Sequence, residues 1–61
     1  MFLVGERVVS KFMGEGTVKS AILPREDKTE PIMQEIEFDN PLIGTRAYPI
    51  SKLRELNDAV D

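Results

Sequence analysis

A chain of 61 residues that contains neither cysteine nor histidine must fold on its hydrophobic core alone. Disulfide bridges are excluded, and so are zinc sites built from thiolates and imidazoles. A chain this short buries only about 60% of the surface that its unfolded form exposes, which is enough for one domain of marginal stability. We therefore expect a single domain over residues 1–61, with its core at about 4–56 and a frayed tail at 57–61.

Charge and hydropathy restrict the possible partners. The longest apolar runs, Met1–Val4 and Ala21–Pro24, are far shorter than the roughly 20 residues of a membrane helix. No signal-peptide pattern is present either, so we expect a soluble, cytoplasmic protein without membrane contact. The net charge of −3 repels a phosphate backbone and disfavours nucleic acid as a partner. A nucleic-acid interface would require one face to carry Arg7, Lys11, Lys19, Arg46 and Lys52.

Alternation of apolar and polar residues indicates the fold class. It is clearest at residues 32–39, where Ile36 and Phe38 point to one face and Glu35 and Glu37 to the other. The same alternation predicts four more strands, at residues 6–12, 17–22, 45–48 and 54–56. The side chains predicted to point inward are Val8, Phe12, Val18, Ile22, Ile36, Phe38, Ala47 and Leu53.

The connections between these strands predict a small barrel. Gly14 and Gly16 favour a tight bend, and the segment from Pro24 to Pro31 encloses only polar residues, as an exposed loop would. Pro49 is expected to stop strand pairing, and the Ser51 hydroxyl to begin one helical turn over residues 51–53. Together these features predict an all-β, five-stranded SH3/Tudor-like barrel with a one-turn helix before the last strand.

An alternative fold places a helix at the C-terminal end of the chain. Leu53, Leu56 and Val60 have the spacing of one helical face. This spacing keeps open an α+β arrangement with a C-terminal helix.

Several segments resemble a known small-barrel family. Val4-Gly5-Glu6-Arg7-Val8, Lys11-Phe12 and Gly14-Glu15-Gly16-Thr17-Val18 are similar to the opening of the Tudor-like domain at the C-terminus of UvrD/PcrA-type helicases, with Met13 inserted. Ile36-Glu37-Phe38, Asn40-Pro41-Leu42-Ile43-Gly44 and Lys52-Leu53 resemble its third strand, turn and end. The likeness covers roughly residues 4–56. CarD-type RNA polymerase interaction domains share a similar opening, and both resemblances imply a barrel that docks on RNA polymerase.

A weaker resemblance implies a different function. Gly5-Glu6-Arg7-Val8, together with Tyr48-Pro49-Ile50, Leu53 and Leu56-Asn57, is similar to the type II plasmid dihydrofolate reductases. Those enzymes are SH3-like tetramers with a pore lined by a Val-Gln-Ile-Tyr stretch. Here the matching residues are Thr45-Arg46-Ala47-Tyr48, of which only the tyrosine is kept. The alternative function is therefore a homotetramer that binds NADPH and folate.

Catalytic and metal-binding patterns are weak in this chain. Without histidine or cysteine, no side chain is an ordinary base or thiolate nucleophile near neutral pH. Glu35, Glu37 and Asp39 share one strand face and could in principle bind a divalent cation, although a solvated face is the commoner meaning of this pattern. Gly14-Glu15-Gly16 precedes a strand, whereas a phosphate loop precedes a helix. We expect no catalytic residues, no metal and no cofactor.

The remaining apolar residues point to a binding surface. The inward set already fills a small barrel, so some other apolar side chains should be exposed. Aromatic residues and arginine are enriched at protein interfaces. The predicted partner-binding residues are Phe12, Met13, Leu42, Ile43, Arg46 and Tyr48. An equal alternative is that Leu42 and Ile43 only cap the barrel. The predicted function is a non-enzymatic protein-binding module that docks on RNA polymerase or another transcription or repair component, and self-association stays open.

Overall fold

Five antiparallel strands form one curled sheet, a half-barrel, in the computed structural model, which describes residues 1–56. The strands are β1 (Arg7–Ser10), β2 (Gly14–Val18), β3 (Met33–Phe38), β4 (Thr45–Pro49) and β5 (Leu53–Glu55). A single 3-10 turn (Ile50–Lys52) precedes β5. The sheet order is β4-β3-β2-β1-β5, so β4 and β5 are the two edges. The predicted all-β class, with five strands and a one-turn helix before the last, is confirmed.

The hydrophobic core consists of side chains from all five strands. Its buried members are Val8, Val18, Ile36, Phe38, Tyr48 and Leu53. Partly buried Phe2, Met13 and Ile43 pack against this cluster. Five of the side chains predicted to point inward are therefore confirmed as buried, and the side chain of Tyr48 completes the core.

Three inward-facing predictions are wrong because strands end or shift where the alternation appears to continue. β1 ends at Ser10 and β2 at Val18, so Phe12 and Ile22 lie beyond the sheet and are exposed. In β4, Tyr48 pairs with the buried Gln34, which turns Tyr48 inward. Ala47 consequently points outward.

Gln34 is a buried polar residue on the apolar face of β3, and both the nitrogen and the oxygen of its side-chain amide have hydrogen-bond partners. Its Nε2 donates to the carbonyls of Phe2 (2.9 Å) and Ser20 (2.8 Å), and its Oε1 accepts from the Phe2 N–H (2.9 Å). A buried amide with satisfied hydrogen bonds avoids the cost of desolvation. Gln34 thus ties the N-terminal segment and the end of β2 to the middle of the sheet.

The fourth strand and the turn after it differ from the prediction. Pro49 pairs with Met33, and the N–H of Ile50 donates to Ile32 O at 3.0 Å, so pairing continues through the proline. The 3-10 turn begins after Pro49 without a side-chain cap, and the predicted Ser51 cap is wrong.

The C-terminal alternatives are settled only in part. Leu53–Glu55 is a strand, and residues 1–56 contain no α-helix. The predictions of a frayed tail at 57–61 and of a helical position for Val60 concern residues outside those that the structure describes. Within the described residues, no helix is long and apolar enough to cross a membrane.

Gly16 marks the closest approach of β2 to β3. It pairs with both Val8 and Phe38, and a Cβ at this position would stand 2.8 Å from Ile36 Cγ2 and 2.9 Å from the Glu37 carbonyl oxygen. These distances are too short for any side chain unless the strands move apart.

Gly16→Ala should therefore lower the free energy of unfolding by about 1–3 kcal/mol, the usual cost of overpacking. Urea denaturation followed by circular dichroism measures this. Glu15→Ala, at the exposed neighbouring position, is the control and should have a smaller effect. Equal stability of the two variants would contradict the close approach of the strands.

Candidate protein-binding site

Two turns lie at the same end of the sheet. Residues 11–13 connect β1 to β2, and residues 39–44 connect β3 to β4. The Asp39 N–H donates to Glu15 O (2.9 Å), which joins the second turn to the start of β2. We call the surface on these turns the turn rim and define it by Phe12, Met13, Leu42, Ile43 and Arg46.

A pair of buried hydroxyls positions the first turn. Ser10 Oγ donates to Tyr48 Oη at 3.0 Å and accepts from the N–H groups of Phe12 (3.3 Å) and Met13 (3.2 Å). The Tyr48 ring packs edge-on against Phe38, with centroids 5.4 Å apart. The hydrogen bond between Ser10 and Tyr48 connects β1 to β4, which are not neighbours in the sheet.

The prediction of Tyr48 as a surface contact requires correction. Its side chain is only 8% exposed, because the register of β4 turns it into the core. Tyr48 therefore supports the turn rim from below and does not present its ring to a partner.

The other predicted contacts lie on these two turns and at the start of β4. Phe12 is 80% and Leu42 92% exposed. Arg46 is exposed as well, and its guanidinium donates to the Ile43 carbonyl oxygen at 3.4 Å. Met13 and Ile43 are half-buried, because each packs against the core from its own turn. Each turn thus presents one exposed apolar side chain, next in sequence to one that is half-buried.

The backbone of the second turn is held by Asn40. Its carbonyl oxygen accepts from the N–H groups of Ile43 (3.0 Å) and Gly44 (3.1 Å), and its Oδ1 accepts from the Leu42 N–H at 3.0 Å. Gly44 has a φ of 68°, which favours glycine. Leu42 is therefore displayed from a hydrogen-bonded turn, even though its side chain is almost wholly exposed.

A second surface lies beside the turn rim and is basic. It is a groove of about 490 Å³ lined by Val9, Lys11, Ser51, Lys52, Leu53 and Arg54. We call it the basic groove. Lys11 belongs to it and also places its Nζ 5.8 Å from the centroid of the exposed Phe12 ring, within cation–π range. Sequence reasoning missed this groove, although Lys52 lies in the predicted helical turn and Arg54 begins the predicted last strand.

The carboxylates of the outer sheet face are not arranged as a metal site. Arg7 donates to both oxygens of Asp39 (2.9 and 2.6 Å) and to Glu15 (3.2 Å). The hydrogen bonds that Arg7 donates to the Asp39 carboxylate lower the pKa of Asp39 and raise the pKa of Arg7. The Oε1 atom of Glu37 lies 3.7 Å from the Nζ atom of Lys19. Among residues 1–56, no group of three acidic side chains could hold a metal ion.

Comparisons with known proteins add no relative. No family matches the chain, and no curated protein or solved structure matches it. The resemblances to helicase, RNA polymerase-binding and reductase domains therefore stay predictions, and the candidate site depends on its geometry.

Tyr48→Phe should destabilise the protein by about 1–3 kcal/mol, because the buried Ser10 hydroxyl would lose its acceptor. Ser10→Ala should destabilise it as well, since the turn N–H groups lose theirs. Either single substitution already removes the hydroxyl pair. The double variant should therefore be destabilised by less than the sum of the two single effects, with a difference of at least about 0.5 kcal/mol. Urea denaturation of all four proteins by circular dichroism gives this coupling. Strict additivity would contradict the hydroxyl pair.

Proposed function

We propose that this domain is a protein-binding module that contacts its partner through the turn rim. The observation that carries the proposal is the exposure of Phe12 and Leu42 beside Met13 and Ile43, on two turns of fixed backbone. Apolar and aromatic side chains with an adjacent arginine are typical of the energetic centre of protein interfaces. Arg46 supplies that arginine.

Pre-organisation supports the same proposal. Ser10 holds the backbone of Phe12, and Asn40 holds that of Leu42, so little backbone ordering is left for the moment of binding. Binding to an ordered surface costs less entropy than binding to a disordered one. An apolar side chain on an ordered turn is therefore a better anchor than one on a loose loop.

The turn rim would form only the centre of such an interface. A standard interface covers about 800 Å² of each partner, which is roughly a fifth of the 4460 Å² accessible surface of residues 1–61. Five residues do not cover that area. The partner must also contact the charged surface around the rim, and those contacts would set its orientation and specificity.

RNA polymerase is the first partner to test. It is implied by the resemblance of residues 4–56 to helicase Tudor-like and CarD-type domains, and by nothing in the geometry. A cytoplasmic location belongs to the same proposal, as does a role in transcription or repair. The wider statement, a protein partner at the turn rim, does not depend on this choice.

The reductase-like alternative receives no comparable support. It requires Tyr48 to line a central pore, whereas Tyr48 is buried against Phe38 and bonded to Ser10. Arg46 occupies the position of the family's pore glutamine. No observation favours this function.

Phe12→Ala and Leu42→Ala should each weaken binding to purified RNA polymerase by about tenfold or more, as expected for anchor residues. Both should unfold near the wild-type temperature, because truncation of an exposed side chain away from structural contacts changes stability little. Biolayer interferometry and thermal melts measure the two quantities.

Leu3→Ala is the matched control. Leu3 is 77% exposed, but it lies at the other end of the sheet, where Gly5 bonds to Val18. The affinity of the Leu3→Ala variant for RNA polymerase should equal that of the wild type. A wild type that does not bind would remove RNA polymerase as the partner. Binding that survives both turn-rim substitutions would refute the turn rim.

A further inference from the structure

The basic groove brings three cationic side chains together, those of Lys11, Lys52 and Arg54. The outer face of the β1–β5 pair brings Val9 opposite Arg54, and the 3-10 turn adds Lys52 beside Lys11. In the part of the chain that the structure describes, no acidic residue lines the groove. None of its three cations forms an ion pair with any residue of 1–56. A concentrated positive field at this position favours an anionic ligand.

The rest of the surface has the opposite charge. Among the other residues of 1–56, five are basic and nine are acidic. Arg7 and Lys19 are moreover paired with carboxylates. A long polyanion such as nucleic acid would pass from the groove onto a repelling surface. A short anionic segment can be neutralised within the groove alone.

We propose that the basic groove binds a short, extended, acidic peptide segment of a partner protein. Its volume of about 490 Å³ lies within the roughly 300–1,000 Å³ range of ligand sites, and the half-buried Val9 adds an apolar contact. β5 ends the sheet order beside the groove. An edge strand can accept an extended peptide by backbone pairing, while the cations select acidic side chains.

This inference does not depend on the turn rim, because no residue that lines the groove belongs to the rim. The two surfaces are nevertheless adjacent, since Lys11 of the groove contacts Phe12 of the rim. One partner can therefore use both, with apolar residues on the rim and an acidic segment in the groove.

The test measures fluorescence anisotropy of a labelled hexaglutamate peptide at low ionic strength. The wild type should bind it saturably, and the double variant Lys52→Gln/Arg54→Gln should bind about fivefold or more weakly, because two ion pairs are lost. The double variant Arg25→Gln/Lys28→Gln is the control: it makes the same charge change in the exposed loop. It should bind as the wild type does. Thermal melts should show all three proteins folded.

Peptide-induced amide shifts in the wild type locate the site without any substitution. They should occur at Val9, Lys52 and Arg54 and be absent from residues 25–30. No saturable binding, shifts elsewhere, or equal weakening in both double variants would overturn the proposal. Tighter binding of an oligothymidylate of equal charge would assign the groove to nucleic acid instead. Self-association of the peptide-free wild type that the groove variant abolishes would assign it to a second copy.

Discussion

The hydrogen bond between Ser10 and Tyr48 is the contact on which the half-barrel and its turn rim both depend. Two strands, β2 and β3, separate β1 from β4 in the sheet order, so side chains join β1 to β4 across the interior. The ring of Tyr48 is buried in the interior, and its hydroxyl accepts a hydrogen bond from the Ser10 hydroxyl at the end of β1. The same serine oxygen then holds two N–H groups of the first turn. The Ser10 hydroxyl therefore helps to close the core and also holds the turn that displays Phe12.

Much of the sheet could be predicted from alternation, and the failures come from contacts between residues distant in sequence. Ile36 and Phe38 in β3 follow the pattern, because that strand is long and has one wet face. Gln34 breaks it, because its partners Phe2 and Ser20 are distant in sequence and no local pattern shows them. Strand ends were harder to place, since pairing to a neighbour decides where an alternating segment stops being a strand.

The candidate site shows the same limits. Phe12 and Tyr48 exchange their expected burial: the apolar phenylalanine is displayed and the amphipathic tyrosine is buried. Hydrophobicity alone ranks these residues the other way, and only the end of β1 and the register of β4 reverse the order. The basic groove could not be predicted, because Lys11 and Arg54 meet only through the pairing of β1 with β5. That the two turns carry exposed apolar residues could be predicted, because their surplus of apolar residues is visible in the sequence.

Tyr48 is the single tyrosine, and the chain contains no tryptophan, so intrinsic fluorescence reports this one side chain. Acrylamide quenching of that fluorescence, in the native protein and in concentrated urea, tests directly whether Tyr48 closes the core. The structure predicts a native ring that is strongly protected from acrylamide, with protection lost in the same transition as the circular dichroism signal. Quenching of the native protein as efficient as that of the unfolded chain would place Tyr48 on the surface and contradict this account.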